Sequence, residues 1–558
     1  MLKSLKYSLL ILVVIFILAI VGIIIAVNVI NPNKFKTKIQ NKLSLKLNRQ
    51  VALNGNLAWS FIPVGITIND ISINSPANFN NAKFLDLQHA TISLSLLPLL
   101  WKKVIVNKII VDGANINLQT NSNGENNWQF IKKNSKANIN NNKNNLKIVT
   151  KKNPSINIKQ LKIHNSNIKI SNEKTKQNIN ISNFSLLANN IKFKNNFSVK
   201  SSFILQDINK KIQANINLNS KIYLDPQNKN LKLQNLNLST NWQNLLAHQT
   251  KTKLNIKGNI SAKPTNITFN NIQIVFDDSI ISANGYITKQ EKNKTLNMQL
   301  LVDKLNVDKY ITQTTSTTNN NIKQTDNKKQ KQKQFNFTML QNLAIDINIK
   351  IQNLILQKAK LQNVLIKINS LNNENIINIT ELSANLYGGK IISGGLLDVT
   401  NAKQLDIIDK TTMQQIELQS FLNDIAKYKD FSGNLNAIMN ISIKTTDPQK
   451  ILSFLNGDFT ADVKQGSLAG KINAIQYLNQ VKNMLKLQNN TNLNNNSNIT
   501  KFTKLHTSGK INKGVFTVKK LNLNTQDKLN ITGNGTINIV KQYLEMLFDI
   551  QLKKDATV

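Results

Sequence analysis

The chain has no cysteine, and arginine occurs once, at Arg49. The first absence excludes disulfides, thiolate metal sites and cysteine nucleophiles. The second removes the side chain that nucleic-acid readers use for bidentate contacts with bases and phosphates. Aromatic residues are only 6% of the 558 positions, too few for a base-stacking platform. Acidic residues are also scarce: 29 Asp+Glu against 71 Lys+Arg leave a formal charge of +42. The lysines are spread evenly, often every third or fourth residue, which describes a solvated surface and no nucleic-acid footprint. Such a surface attracts anionic lipid headgroups, an interaction that needs charge but no geometry. Asparagine is roughly one residue in six, more than twice an ordinary share. Together with Lys and Ile it is what an A/T-rich coding sequence produces.

Catalytic constellations are missing too. His89, His164, His248 and His506 are scattered and match no metal-ligand spacing. Gly466-Ser467-Leu468-Ala469-Gly470 misplaces its glycines for a nucleophile elbow, and Gly466 to Lys471 lacks a spacer and the hydroxyl of a phosphate loop. Gly533-Asn534-Gly535 reads as a turn between strands. No catalytic, cofactor or metal residue is assigned, and the expectation is a protein that is not an enzyme and carries no cofactor.

What the sequence does have begins at its start. Leu9 to Val27 is an unbroken apolar run, with no charge between Lys6 and Lys34. At about 1.5 Å per residue it is long enough for a hydrocarbon core of roughly 30 Å. It ends without an A-x-A pattern, so an uncleaved anchor is expected over a removed signal peptide. Leu9, Ile11, Val14, Phe16, Leu18, Val21, Ile24 and Val27 are its membrane-facing candidates. No other stretch is as long and apolar, which makes the expected topology single-pass. Asn31-Pro32 then gives an N-cap with proline at the first helical position. Phe35, Ile39, Leu43 and Leu47 form a narrow stripe on the helix that follows, to be packed on its own domain or laid on the membrane surface.

Beyond this helix the period falls from about 3.6 to 2. Ile66, Ile68, Ile71 and Ile73 alternate with polar residues, as do Ile92, Leu94 and Leu96, and then Ile156 and Ile158. The pattern returns at Ile267, Phe269, Ile272, Ile274 and Phe276, at Ile345, Ile347, Ile349 and Ile351, and at Leu521 and Leu523. These are strands with one apolar and one polar face. Val111-Asp112-Gly113 and Tyr387-Gly388-Gly389 read as turns. Helical spacing appears at Thr412–Lys429, Pro448–Leu455 and Lys471–Leu487, each read as a cap over a sheet. Polar tracts at 132–145, 313–334 and 489–497 offer nothing to bury.

Several short motifs, in order, resemble the AsmA family. Asn48-Arg49-Gln50 with Gly55, Trp59 and Pro63 resembles its opening. Leu97-Pro98-Leu99-Leu100, the segment ending in Asp112-Gly113, and Gly124-Glu125-Asn126-Asn127-Trp128 follow in the family's spacing. Leu386-Tyr387-Gly388-Gly389 continues the match in the second half. The family usually has glycine where this chain has Asn48, and asparagine tolerates a left-handed backbone better than most residues. Arg49, Gly55, Trp59, Pro63, Pro98, Gly113, Trp128, Tyr387, Gly388 and Gly389 are thus family-motif residues with structural roles.

The resemblance implies a Gram-negative inner-membrane protein with its body in the periplasm, serving outer-membrane biogenesis. Larger relatives look like bridge-type lipid carriers with a long, taco-shaped sheet. The expected fold is mainly β: an N-terminal transmembrane helix, then an elongated, curved antiparallel β-sheet groove with a few capping helices. The expected layout is a cytoplasmic N-terminus (1–6), an anchor (7–30), a first β-groove region with its initial helix (31–312), a polar linker (313–334) and a second β region (335–558). Expected partners are membrane phospholipids, through their acyl chains, and outer-membrane assembly proteins. The alternative function is a scaffold or regulator of outer-membrane protein assembly that carries no lipid.

Overall fold

Alternation of apolar and polar residues governs what forms. The computed structural model describes residues 31–61, 64–80, 83–95, 105–129, 157–246, 249–290, 293–310, 336–371, 375–469, 499–526, 529–541 and 543–552. The expected anchor residues lie outside these, as do Pro63, Pro98 and the expected helix Lys471–Leu487. Among the described residues no helix is long and apolar enough to cross a membrane. There are 25 strands among them, and the chain divides into two units, Met1–Lys263 and Pro264–Val558.

In the first unit, Val51–Leu53 and Leu57–Phe61 both pair antiparallel with Val64–Asn74. Lys83–Leu94 and Val106–Thr120 extend the sheet. Asn157–Asn172 comes next, followed by Gln177–Lys192, Asn196–Asp207, Ile212–Asp225, Asn230–Leu246 and Gln249–Lys263. The second unit runs likewise, each strand beside its predecessor, from Asn266–Phe276 to Tyr543–Leu552. Its strand order is the chain order.

Two steps depart from the expected antiparallel sheet. Val106–Thr120 pairs parallel with Asn157–Asn172, and Asn293–Asn306 pairs parallel with Leu343–Leu356. A parallel step needs a long crossover in place of a hairpin. In the sequence, the polar tracts 132–145 and 313–334 fall between the strands of these two steps. The tract expected as a linker, 313–334, lies outside the described residues; the strands before and after it belong to the same unit.

Local chemistry explains the helices. Asn31 caps as expected, its side chain accepting from Asn33 N at 2.9 Å ahead of the short turn Pro32–Phe35. Helix α1 (Lys36–Leu47) ends at Asn48 in the left-handed conformation, φ 50° and ψ 45°. Helix α2 is shorter than the spacing predicted. It spans Leu418–Ala426, because Thr412 to Glu417 continue the strand Leu405–Glu417 beside Phe431–Thr445. Glu417 caps α2 by accepting from Gln419 N and Ser420 N. Pro448–Phe454 forms a 3-10 turn close to its expected span.

Two expected turns lie inside strands. Gly113 sits within Val106–Thr120 at φ +67°, where the pairing is interrupted between Asp112 and Ala114 without a change of register, and an added Cβ would fall 2.3 Å from Gln88 Oε1. Gly533-Asn534-Gly535 lies within Leu529–Asn538. A Cβ on Gly535 would meet Met546 Sδ at 2.7 Å, so the missing side chain makes room for a cross-strand neighbour. Tyr387-Gly388 is a tight turn as expected, with φ 43° and 77°.

The abundant asparagine has a recurrent structural use. Asn165, Asn183, Asn235, Asn271 and Asn363 sit inside strands with positive φ, at or beside ladder irregularities. This is the conformation in which asparagine is least penalised. The freed N–H is caught by an asparagine of the neighbouring strand: Asn235 N donates to Asn259 Oδ1 at 3.0 Å, and Asn271 N to Asn284 Oδ1 at 2.7 Å. Gln415 N donates to Asn436 Oδ1 at 3.1 Å in the same way.

Candidate functional site

Ladder partners share a sheet face, so register shows where the apolar side chains go. In the first unit Leu57, Ile68, Ala90, Val111, Ile163 and Leu186 are successive partners. The row continues through Ser201, Leu218, Leu238 and Ile256. In the second unit the row Ile272, Ala283, Leu300, Ile349, Ile366 and Leu382 runs through Ser393 and Thr411 to Met439, Phe459, Gly509, Val518, Gly535 and Met546. Bulges do not invert the faces, because each displacement returns the apolar residues to the same side. The opposite face is basic and amide-rich, as in the row Lys200, Asn219, Asn237 and Lys257.

Among the described residues, helices cover this apolar face only locally. In α1, Ile39, Leu43 and Leu47 pack on Val51, Leu53 and Leu57, so this helix packs on its own domain; Phe35 before it is 49% exposed. In α2, Phe421 and Leu422 pack on the cluster of Leu418, Val463, Phe502, Leu523 and Ile531. Between them, Val302, Ile351, Val364 and Ala384 cluster with apolar residues of neighbouring strands alone. Among the described residues no apolar cluster joins strands far apart in the order.

The motif residues meet in two places. Arg49 donates from Nη1 to Asn74 O at 3.5 Å and from Nη2 to Gln129 O at 3.2 Å. The guanidinium thus ties the opening motif to the Gly124–Trp128 motif. In the latter the buried residue is Asn127, which the sequence reading passed over for Trp128. Asn127 Oδ1 accepts from Gln119 N at 2.9 Å and its Nδ2 donates to Asn117 O at 2.8 Å, while Trp128 is 37% exposed. Glu173 adds a second tie, accepting from Asn80 and Gln119 side chains and from Ser122 N. Gly55 faces backbone: a Cβ there would lie 2.6 Å from Asn69 O. Trp59 is a ladder partner of Ile66 on the apolar face.

The second meeting place is the Tyr387-Gly388-Gly389 turn. Tyr387 Oη donates to Asp424 Oδ2 at 2.7 Å and accepts from Lys360 N at 3.2 Å. Its ring meets Phe421 edge-on at 5.7 Å. The turn therefore fastens α2 to the sheet. Burial, reinforced by the bond to Asp424, pushes the Tyr387 hydroxyl up to about 12. Lys360, 2.9 Å away, and then the tyrosine hold Asp424 below the usual carboxylate range. On the polar side a pocket of about 870 Å³ is lined by Lys360, Gln362, Asn385, Lys390, Gln414 and Asn436 among others.

These motifs act as fasteners between strands and helices. His164 contacts Asp112 and His506 contacts Asp462, at 2.8 and 2.9 Å, on separate strands. Among the described residues no group of three or more potential ligands is placed to hold a metal ion. The feature with functional reach is the apolar face itself.

Comparison with known proteins agrees with the motifs. The model of the AsmA family matches residues 1–221 and 210–521. Protein AsmA of Escherichia coli (strain K12) is 20% identical over 557 residues, covering 97% of this chain and 87% of that protein. With both halves matched and the motifs in their places, the chain belongs to the AsmA family.

Proposed function

We propose that this protein is a non-enzymatic lipid carrier of the Gram-negative envelope. In this reading residues 7–30 anchor it in the inner membrane, its body lies in the periplasm, and it conveys phospholipid along the apolar face in support of outer-membrane biogenesis. The observation that carries the reading is the row of predominantly apolar ladder partners that runs across each unit, covered among the described residues by helices only near α1 and α2. An acyl chain lying on such a face is sheltered from water at about 0.8 kcal/mol per methylene. Headgroups need no dedicated pocket, because turns at the strand ends carry lysines and amides, such as Asn209-Lys210-Lys211 and Asn228-Lys229. A carrier of this kind uses shape and hydrophobicity, which fits a sequence without catalytic motifs.

A photo-crosslinking residue in the full-length protein in cells tests this. Placed at Leu300, Ile366 or Met439 on the apolar face, it is expected to give phospholipid adducts. At Gln299, Lys367 or Asn440, one residue away on the polar face, it is expected to give none. Equal lipid capture from both faces, or protein adducts alone from the apolar positions, sinks the carrier in favour of a scaffold.

A further inference from the structure

One charged side chain sits on the apolar face of the second unit, beside the hydroxyls of Ser393 and Thr411. Strand Leu405–Glu417 turns Ile407, Asp409, Thr411 and Met413 toward that face, and the ladder partners of Asp409 are Gly395 and Ile441. The other ladder carboxylates of this unit, such as Asp346, Asp458 and Asp462, fall on the polar face among amides and cations. Asp409 is partly buried, while its sequence neighbours Ile408 and Lys410 are exposed on the other side. Ser393 Oγ donates to its Oδ1 at 2.6 Å, and Thr411 Oγ1 donates to its Oδ2 at 2.7 Å. Among the described residues it forms no ion pair with a lysine, arginine or histidine, although the protein carries 71 Lys+Arg.

A carboxylate on an apolar face is costly unless a counter-charge meets it. Two hydroxyls occupy one lone pair on each oxygen and hold the group in a fixed orientation, leaving the remaining acceptor sites open. A divalent cation wants six or more oxygen ligands, well beyond what this notch supplies. A primary ammonium needs only a few acceptors and forms short, charge-assisted bonds to carboxylate. A quaternary ammonium has no N–H to donate, and an anionic headgroup is repelled. Apolar neighbours on both sides, Ile407 and Met413 on the strand and Ile441 across it, suit the acyl region of the same molecule.

Building on the carrier reading above, we propose that Asp409, oriented by Ser393 and Thr411, is a station that holds the primary ammonium of an aminophospholipid headgroup. It makes the second unit selective for ethanolamine-type over glycerol-type phospholipid. The two ideas are separable with a crosslinker at Met439, the ladder partner of Thr411. In full-length protein the captured lipid is expected to be enriched in ethanolamine headgroups about three- to tenfold over the surrounding membrane, the range for one partly solvated charge pair. Asp409→Asn is expected to return the adducts to the membrane's own composition at unchanged total yield, and Asp409→Glu to keep part of the enrichment. Asp458→Asn, on the polar face, is expected to leave it intact. Ser393→Ala guards against a folding defect in the Asp409 variant, since it keeps the carboxylate, and is expected to weaken the enrichment. Lipid captured without enrichment in the unaltered protein, or enrichment that survives Asp409→Asn, refutes the station and leaves the carrier standing. Absence of any lipid adduct overturns the carrier and the station with it.

Discussion

Replacing Phe502 by alanine probes how this sheet holds together. Phe502 is 1% exposed and lies over Gly466, where an added Cβ would come within 2.2 Å of its ring. It packs with Leu418, Val463, Leu523 and Ile531, and its ring centroid is 6.1 Å from that of Phe431. Truncating a buried phenylalanine costs about 3–5 kcal/mol. Because strands touch their sequence neighbours and apolar clusters stay local, the loss is expected to stay local, as in repeat proteins with nearest-neighbour energetics. At 1.4 kcal/mol per decade, amide hydrogen-exchange protection should fall roughly 100- to 4,000-fold. The fall is expected in Leu455–Ala469, Ile499–Asn512 and Val515–Thr525, with little change in Leu343–Leu356 of the same unit. A uniform loss across these strands, or a change below tenfold, would falsify the local-cluster account.

Asn48→Gly is expected to leave thermal stability unchanged or slightly raised, because the residue sits at φ 50°, whereas Asn48→Val costs about 1–2 kcal/mol; melting curves compare the pair. Asn436→Ala removes the acceptor for Gln415 N–H and should cost about 0.5–1.5 kcal/mol, while Asn436→Asp keeps the acceptor and most of the stability; denaturant titration separates them. The folded-state pKa of Tyr387 is raised from 10.0 to about 12. Its contribution is therefore full below about pH 10 and is lost as pH rises toward 12. In an ultraviolet phenolate titration, Tyr387→Phe should remove one of the late-titrating groups, Tyr310 being another at about 12. Retention of the same late titration in the variant would contradict the assignment.

Much of the fold is legible because a period of two is a direct record of which side is buried. Ile345, Ile347, Ile349 and Ile351 alternate in sequence and land together on the apolar face. Asn48 was also legible, since its tolerance of positive φ matches the helix end it forms. Strand direction was not. Nothing in the alternation of Val106–Thr120 or Leu343–Leu356 says whether the neighbour runs parallel, and the polar crossovers carry no periodicity. Glycine misled in two places: at Gly113 and at Gly535 it accommodates a close neighbour inside a strand, at Gly113 with a positive φ as well, which composition cannot tell from a turn. Asp409 escaped notice because an isolated acid in a strand is ordinary until register shows which side it faces.

From Val64–Asn74 onward each described strand pairs along the sheet of its unit in chain order, which also bears on how such a chain changes length over evolution. Away from ties such as Arg49 to Gln129 and Asn80 to Glu173, duplicating or deleting one hairpin alters the sheet it belongs to by two strands, about 10 Å along the hydrogen-bonding direction. The strands beyond the change keep their sides and their heading. Losing a single strand would reverse the heading of everything after it, unless a parallel joint such as that between Asn293–Asn306 and Leu343–Leu356 absorbed the reversal. Members of this family can therefore be expected to differ in size by even numbers of strands, with odd differences accompanied by a gained or lost crossover.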